Sequence, residues 1–401
     1  MLILFASNSS FAVNTMRKFL FHTAAVLVIY LLFCNALKAQ DIPLLPLEQF
    51  HARGGIGNVM EKINKGETVK VAYLGGSITA ANGWRPKTTA WLAKTFPNAK
   101  FEEIHAAVGG TGSDLGVFRL AHDVLQHNPD LLFVEFAVND GGASPENIWK
   151  AMEGIVRQTW KANPKTDIVY TYTISEALAK DPRDGKCCRS MSAMEQLADF
   201  YNIPSINFAV PVLALEKAGK LLFAGTSAPE GVILFSGDSV HPHDAGHEIY
   251  LQAVAEAITA MKDSKPVNHA PKLEKHFIKG NYEDAKFVPI TADLLQGKWK
   301  TLDENDSLQR SFGKRLGAIY HSGEPGSKLT FKFKGTQAKV YDLLGPNGGQ
   351  VIVTIDGNTN PKPVPRFDSY CTYHRLATLR LAEDMNDEVH TIMLHRKLNG
   401  L

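Results

Sequence analysis

The sequence predicts a three-layer α/β domain, in which a mostly parallel sheet lies between two layers of helices, followed by a smaller antiparallel β domain. Three observations lead to this prediction. Short apolar runs alternate with amphipathic stretches between residues 69 and 261. A polar stretch that contains two prolines follows at 263–285. Beyond it, apolar and polar residues alternate strictly, which is typical of strands with one buried face.

Length and composition are those of an ordinary folded protein. The chain has 401 residues, enough for two or three domains at about 100–200 residues each. Hydrophobic residues make up 44% and charged residues 21%, which argues against disorder, collagen and coiled coil. The formal net charge of +2 becomes −1 without residues 1–39, because these carry three basic and no acidic residues. Such a chain lacks the basic excess that binds phosphates, so no nucleic-acid partner is expected.

Residues 1–39 have the composition of an export signal. A positive start at residues 16–18 precedes the apolar run Ala24–Phe33, and the small residues Ala36 and Ala39 suit a cleavage site after residue 39. The alternative is a retained transmembrane anchor, but the run is shorter than the about 20 residues that a spanning helix needs. We therefore expect synthesis to start at Met16, and a periplasmic or secreted protein with no stable membrane insertion after cleavage.

Three cysteines remain beyond that signal: Cys187, Cys188 and Cys371. An odd number in an oxidising compartment leaves at least one of them unpaired. A bridge from the adjacent pair to Cys371 would join the two halves of the chain, and free thiols are an equally good interpretation. The pairing stays open at this point.

Five apolar runs predict the strands of the sheet: Val69–Leu74, Phe101–Ala107, Asp130–Ala137, Ile168–Ile174 and Ile203–Phe208. Amphipathic periodicity predicts the helices Arg85–Phe96, Leu115–Leu125, Pro145–Ala162, Met191–Tyr201 and Asp244–Met261. Because helices alternate with strands, we expect the strands to be parallel and covered on both faces. The α/β domain is assigned to residues 40–262, a linker to 263–285 and the β-rich domain to 286–401.

The C-terminal part carries the signals of antiparallel strands. Leu329–Phe333 and Val351–Ile355 alternate apolar and polar residues, and Pro346–Gly349 and Asp356–Gly357 supply turn sequences. We expect an antiparallel β-sandwich of the jelly-roll kind.

Reactive or small residues stand where α/β sheets bind ligands, at the carboxyl ends of strands. Ser77 follows the first predicted strand in a glycine turn, Gly110 follows the second and Asn139 the third. Asp238 and His241 lie three residues apart before the last helix. A serine nucleophile needs a base, a carboxylate that orients the base, and donors for the oxyanion.

These five residues supply every part of such a site. We predict Ser77 as nucleophile, His241 as general base and then general acid, and Asp238 as the residue that orients the imidazole. The amides of Ser77 and Gly110 and the side chain of Asn139 are the predicted oxyanion donors. Gly109 and Gly112 are register alternatives to Gly110.

The four motifs, in this order, resemble the SGNH (GDSL-type) hydrolases. The resemblance covers about residues 66–262 and implies a flavodoxin-like domain and ester hydrolysis without a metal or another cofactor. Three positions depart from the family pattern. Gly76 replaces the usual Asp before the nucleophile, Ala137 replaces the usual Gly before the oxyanion Asn, and His105 stands where an Asn is common. The predicted triad is left complete.

Trp84 and Arg85 are candidate substrate-binding residues, because they follow the nucleophile turn closely. An indole face suits a sugar ring, and a guanidinium suits a hydroxyl or carboxylate. Packing of Trp84 on the core at a helix start is an equally good interpretation.

The segment from His241 to His247 contains three histidines and Asp244, a combination that can ligate zinc. A helix that begins at Asp244 as N-cap explains Asp244 and His247 without a metal. We expect no metal at this site.

Export, Trp84 and a β domain that resembles modules found beside carbohydrate esterases lead to an expected function. We expect a serine esterase that removes small acyl groups, with acetyl as the first candidate, from polysaccharides or oligosaccharides. One alternative keeps the triad and acts on a lipid, lysophospholipid or thioester. An alternative of another class is a glycan-binding protein whose α/β domain is only a scaffold.

Overall fold

The structure is a computed structural model that describes residues 42–369 and 371–396. The predicted export signal and its cleavage site lie outside the described residues. From Leu44 onward the chain belongs to one compact unit. Within the described part of the chain, no helix is both long and apolar enough to cross a membrane.

A six-stranded sheet forms the centre of the α/β domain. Its strands are β1 Phe50–His51, β2 Thr68–Gly75, β3 Lys100–His105, β4 Leu131–Glu135, β5 Asp167–Tyr172 and β6 Ser205–Asn207. The spatial order is β1-β6-β5-β4-β2-β3, with β2 to β6 parallel and the short edge strand β1 antiparallel to β6. Because β2 lies between β3 and β4, the chain reverses direction across the sheet there. Ligands bind at such a switch point.

Helices cover the sheet, so that every residue of β4 and β5 is buried. The helices of the described residues are α1 Gly57–Asn64, α2 Ser77–Ala80, α3 Trp84–Thr95, α4 Ser113–Asp123, α5 Pro145–Ala162, α6 Lys180–Arg183, α7 Arg189–Tyr201, α8 Ala209–Lys217, α9 Asp244–Ala260 and α10 Ser307–Leu316. Helix α5 packs between α4 and α7, and α3 packs against α9. The three-layer α/β prediction is confirmed.

Among the elements that the apolar pattern does not predict, three lie between β6 and α9. They are α8 and a separate parallel pair of short strands, β7 Leu221–Ala224 and β8 Ile233–Ser236. The others include the edge strand β1 and the helices α1, α2, α6 and α10. Strand β8 matters for the site, because it leads directly into the turn that holds Asp238 and His241.

Antiparallel strands form the C-terminal domain, as predicted. They are β9 Leu295–Gln296, β10 Lys300–Thr301, β11 Tyr320–His321, β12 Lys328–Gly335, β13 Ala338–Leu344, β14 Gln350–Ile355, β15 Asn358–Pro365, β16 Arg375–Ala382 and β17 Glu388–Arg396. One sheet has the order β15-β14-β17-β12-β9, and β13 pairs with β16 in a second. Leu329 and Ile392 of the first sheet and Leu379 of the second share one hydrophobic core, so the sheets pack face to face.

The sequence predicts a linker at 263–285, whereas the structure packs this segment along α5. Glu153 of α5 accepts hydrogen bonds from the backbone amides of Phe277 (2.6 Å) and Ile278 (2.9 Å). Arg157 donates to two backbone carbonyls of the segment, at 3.0 and 2.9 Å. Side chains of α5 thus satisfy polar backbone groups of a segment that has only one short 3-10 helix, Ala270–Glu274, of its own.

Cys187, Cys188 and Cys371 are all free thiols. The first two are buried, and burial raises the pKa of Cys187 to about 12. The structure therefore favours free thiols over the bridge between the two halves of the chain.

Candidate active site

Ser77, His241 and Asp238 form one hydrogen-bonded chain. Ser77 begins α2 immediately beyond the end of β2. Nε2 of His241 lies 2.7 Å from Oγ of Ser77, and Nδ1 of the same ring lies 2.6 Å from Oδ2 of Asp238. At these distances the imidazole can accept the hydroxyl proton while the carboxylate holds the ring in the required tautomer.

The turn around Asp238 keeps its carboxylate ionised. Oδ1 accepts hydrogen bonds from the backbone amides of Val240 (2.9 Å) and His241 (2.8 Å) and from the hydroxyl of Ser236 (3.0 Å). Burial alone would raise the pKa of Asp238, but the hydrogen bonds from the His241 side chain and from these donors outweigh it and hold the pKa well below its usual value. Ser239 adopts a left-handed backbone, with φ of 69°, within this tight turn.

Asn139 lies directly against the nucleophile turn. A Cβ added to Gly76 would stand 1.9 Å from Oδ1 of Asn139, so that the Asn139 side chain would have to move. The glycine that replaces the family's usual Asp therefore leaves the space in which Asn139 sits.

A buried carboxylate supports the same turn from below. Glu135, the last residue of β4, accepts hydrogen bonds from the hydroxyls of Thr79 (2.8 Å) and Thr173 (2.6 Å) and from the amide of Gly76. Burial raises the pKa of Glu135, and these three donors oppose the rise. The sequence motifs did not identify Glu135 as part of the site. The feature of the sequence that could have identified it is an acidic residue at the end of an otherwise apolar strand.

The glycine loop after β3 lies beside the nucleophile. A Cβ on Gly109 would be in ordinary contact with Cβ of Ser77, at 3.6 Å. Gly110 has a left-handed φ of 71° and faces open space. Gly112 packs against Asp140, since a Cβ there would lie 2.3 Å from its Oδ1. Of the three glycines, Gly109 thus has the contact with Ser77, which makes its amide a candidate donor beside that of Gly110.

Asp140 ties this loop to the residue after Asn139. Its Oδ1 accepts the amide hydrogen of Ser113, the first residue of α4, at 3.0 Å. Only 4% of Asp140 is exposed, and burial raises its pKa to about 7 against the hydrogen bonds from Ser113. Oδ2 has no hydrogen-bond partner among the described residues.

The structure corrects the substrate-binding interpretation of Trp84 and Arg85. Trp84 is 0% exposed and packs edge-on against three aromatic rings of the core, as in the alternative interpretation. Arg85 is 7% exposed, donates to the carbonyl of Thr79 at 3.1 Å and pairs with Glu103. Both residues begin a helix that packs on the sheet, so they turn inward and support the nucleophile turn.

The histidine-rich segment has structural contacts of its own. His243 is the N-cap of α9, one position earlier than the predicted cap, and Asp244 is the first residue of the helix. His247 is buried against Gly83, and burial lowers its pKa to about 4. No group of three or more His, Cys, Asp or Glu side chains within residues 42–369 and 371–396 is arranged to hold a metal ion.

Comparisons with protein families and with solved structures found proteins that are similar to this chain. Residues 73–249 match the model of the GDSL-like lipase/acylhydrolase family, a span that includes the five predicted catalytic and oxyanion residues. No curated protein sequence matches the chain. Among solved structures, the chain is similar to a two-domain esterase (CEX) active on acetylated mannans and co-crystallised with mannopentaose. The two chains are 20% identical, with a TM-score of 0.72, and the match covers 88% of this chain and 92% of that one.

A second structure of a two-domain esterase (CEX) active on acetylated mannans gives 20% identity, a TM-score of 0.68 and coverage of 88% and 93%. At this level of identity, the similarity concerns the fold. It extends over both the α/β domain and the C-terminal β domain, since it covers most of each chain.

Proposed function

Because residues 73–249 belong to the GDSL-like lipase/acylhydrolase family, we propose that the chain hydrolyses carboxylic esters through an acyl-enzyme formed on Ser77. The observation that carries this proposal is the chain of hydrogen bonds from Ser77 to His241 (2.7 Å) and from His241 to Asp238 (2.6 Å). A nucleophile, a base and an orienting carboxylate at hydrogen-bonding distance are the requirements of this chemistry.

In the first half-reaction, Oγ of Ser77 attacks the ester carbonyl carbon while its proton passes to Nε2 of His241. The negative charge that develops on the carbonyl oxygen is received by the Asn139 side chain, the Ser77 amide and a glycine amide at 109–110. The C–O bond to the alcohol then breaks, and the alcohol leaves with the proton from His241. Water, deprotonated by His241, cleaves the acyl-enzyme in the same way and releases the acid.

The proposed substrates are small acyl esters, first of all acetyl esters, on polysaccharides or oligosaccharides. Two observations support this choice. The fold is similar over 88% of the chain to an esterase active on acetylated mannans. The side chains of His241 and Asp238 are 47% and 58% exposed, so the triad lies in an open site that admits a large hydrophilic substrate. A long acyl chain would instead need an apolar groove.

The proposed location is the periplasm or the exterior of the cell, because residues 1–39 have the composition of an export signal. Expression of the full chain in a Gram-negative host, followed by N-terminal sequencing of the protein from the periplasm or medium, tests this. Export with a new N-terminus after Ala39 is expected. Retention of an uncleaved chain in the membrane fraction would contradict it.

Acyl release by the purified chain tests the activity. The substrates are a panel of acetylated glycans, 4-nitrophenyl acetate and 4-nitrophenyl octanoate. The variants are Ser77→Ala and, as a matched control on an exposed serine, Ser227→Ala. We expect acetate release that Ser77→Ala abolishes and Ser227→Ala leaves unchanged. Preference for the octanoate would favour a lipid substrate, and no turnover of any ester would favour a glycan-binding protein.

A further inference from the structure

One side chain of the C-terminal domain reaches the catalytic loop of the α/β domain. Arg315, near the end of α10, donates from Nη2 to the carbonyl oxygen of Ala107 at 3.1 Å. Its Nη1 lies 3.4 Å from Oδ2 of Asp123, the last residue of α4. Three quarters of the Arg315 side chain is buried in these contacts.

The peptide that Arg315 contacts is held from its other side by the nucleophile turn. The carbonyl of Ala107 and the amide of Val108 belong to one peptide group. The Val108 amide donates to the carbonyl of Gly75 at 2.9 Å, two residues before Ser77. Because a peptide group is planar, hydrogen bonds at both ends set the orientation of this plane. The chain then continues into Gly109, whose backbone lies beside Ser77.

A second, buried arginine closes the network. Arg119 donates to the carbonyls of Ala106 and Gly75, the latter at 3.3 Å, and pairs with Asp123 at 2.8 Å. Asp123 therefore binds two guanidinium groups, one from each domain. Hydrogen bonds now run from the nucleophile turn through Arg119, Asp123 and Arg315 back to the glycine loop. Arg315 is the member that the C-terminal domain supplies.

We propose that Arg315 is a positioning residue for ester hydrolysis, which holds the 107–108 peptide and so keeps the amides of the glycine loop at the place where the oxyanion develops. This inference rests on the proposed function of the same site. The C-terminal domain then completes the active site. It is needed for turnover of an ester too small to contact it, in addition to any part it takes in binding glycans.

Other ion pairs between the two domains provide a matched control. Lys339 pairs with Asp114 at 3.1 Å, and Arg380 lies 3.4 Å from the same carboxylate. Arg380 is 58% exposed, and its ion pairs are with Asp114 and Glu383. Arg380→Ala thus removes a contact between the domains without touching the catalytic loop.

The test compares the full-length chain with its Arg315→Ala, Arg315→Lys and Arg380→Ala variants. Hydrolysis of 4-nitrophenyl acetate gives kcat and KM, and a trifluoromethyl ketone, which forms an oxyanion when Ser77 adds to it, gives an inhibition constant. Loss of one oxyanion donor typically costs about 10²–10³ in kcat, so displacement of the loop in Arg315→Ala is expected to cost about 10–100-fold. KM should stay within about twofold of the unmodified chain, and the ketone should bind correspondingly more weakly.

Arg315→Lys keeps the positive charge near Asp123 but cannot bind both partners with a planar fork. It is expected to recover part of the lost kcat, and it decides the test if Arg315→Ala does not fold. Equal kcat in Arg315→Ala and Arg380→Ala would overturn the proposal, as would an unchanged kcat in a folded Arg315→Lys. A rise in KM alone would also overturn it, because it would indicate substrate binding.

The proposed function can fail separately from this inference. A fluorophosphonate labels Ser77 without turnover, and its rate depends on the same hydroxyl, imidazole and oxyanion donors. If the unmodified chain hydrolyses no ester, the proposed function is wrong. The labelling rate then tests the inference, with slower labelling expected in Arg315→Ala than in Arg380→Ala. Equal labelling rates would reject the positioning role.

Discussion

Gly76 has no side chain, which leaves the space that Asn139, a proposed oxyanion donor, occupies. Asn139 lies so close that an added Cβ would stand 1.9 Å from its Oδ1. Gly75, by contrast, is crowded by helix α2 and by the adjacent strand β4, with Oγ1 of Thr79 and the carbonyl of Glu135 at 2.9 Å from a Cβ. The departure from the family's usual Asp is therefore coupled to the position of Asn139.

We expect Gly76→Ala to lower kcat for 4-nitrophenyl acetate by at least about tenfold, because displaced Asn139 can no longer donate to the oxyanion. Gly142→Ala is the matched control, since a Cβ there meets nothing within 4 Å. Circular dichroism and melting temperature establish that both variants fold. Full activity in a folded Gly76→Ala would show that Asn139 has no such role.

The buried carboxyl of Asp140 gives a prediction about pH and stability. Its pKa is raised to about 7 in the folded chain, against about 3.9 in an unfolded one. Between these values the folded state binds more protons than the unfolded state. The unfolding free energy therefore falls as the pH rises from about 4 to about 7, and the loss is complete above pH 7.

Asp140→Asn removes this titration. The unfolding free energies of the variant and of the unmodified chain are measured with urea at pH 5 and at pH 8. Relative to the unmodified chain, the variant should be more stable at pH 8 than it is at pH 5, by a few kcal/mol at most. Asp184→Asn, at an exposed position, controls for the general effect of a lost charge. The same difference between Asp140→Asn and the unmodified chain at both pH values would refute the prediction.

At the scale of elements, the order of the strands assembles the site. Strand β2 lies between β3 and β4, so the residues that follow these three strands meet at one edge of the sheet. Ser77, the glycine loop and Asn139 come from these three places, and the turn after β8 adds Asp238 and His241. The order of the strands and the turn after β8 therefore bring the five site residues together.

Helix α5 organises the segment 263–285, which has no regular strand of its own. Glu153→Ala would leave the amides of Phe277 and Ile278 without their acceptor, at a cost of about 1–3 kcal/mol for each buried group that stays unpaired. We expect trypsin to cut at Lys275 or Lys279 at least about tenfold faster in this variant, because cleavage follows local opening.

Glu146→Ala is the control for that measurement. Glu146 lies on the same helix but pairs with Lys150 of that helix, and 54% of its side chain is exposed. It should be cut at the rate of the unmodified chain. Equal cleavage of Glu146→Ala and Glu153→Ala would mean that α5 does not hold the segment.

At the scale of the whole molecule, the two domains share buried charges. Lys339 of β13 is almost fully buried, pairs with Asp114 at 3.1 Å and lies over the ring of Phe118, 5.3 Å from its centroid. Arg315 and Asp123 form the second link. Since Lys339 and Arg315 each pair with a carboxylate of the other domain, these contacts couple the stability of the two domains.

We expect calorimetry to show one unfolding transition, with equal calorimetric and van't Hoff enthalpies. Lys339→Ala, which removes an ion pair and the contact of the ammonium with the Phe118 ring, should lower the midpoint of that whole transition by about 3–5 °C, whereas the exposed Arg380→Ala should leave it nearly unchanged. Two separate transitions, or a shift of only one part of the curve in Lys339→Ala, would show that the domains unfold independently.

The sequence by itself determined the α/β class, the five central strands and five helices to within two residues, and the places of the four motifs. These features are local: the period of apolar residues reports which faces are buried, and a strand end followed by a glycine or hydroxyl residue is visible in a few letters. Free thiols and the packing of Trp84 stayed open, because neither depends on local spacing.

Only the tertiary structure decided which side chains turn inward and which distant residues meet. Trp84 packs on the core, Glu135 supports the nucleophile turn, and Arg315 contacts a carbonyl 208 residues earlier in the chain. The segment 263–285, polar in composition, is held by α5. Such contacts depend on how separate elements pack, and a polar residue carries the same letter whether it faces water or a buried partner.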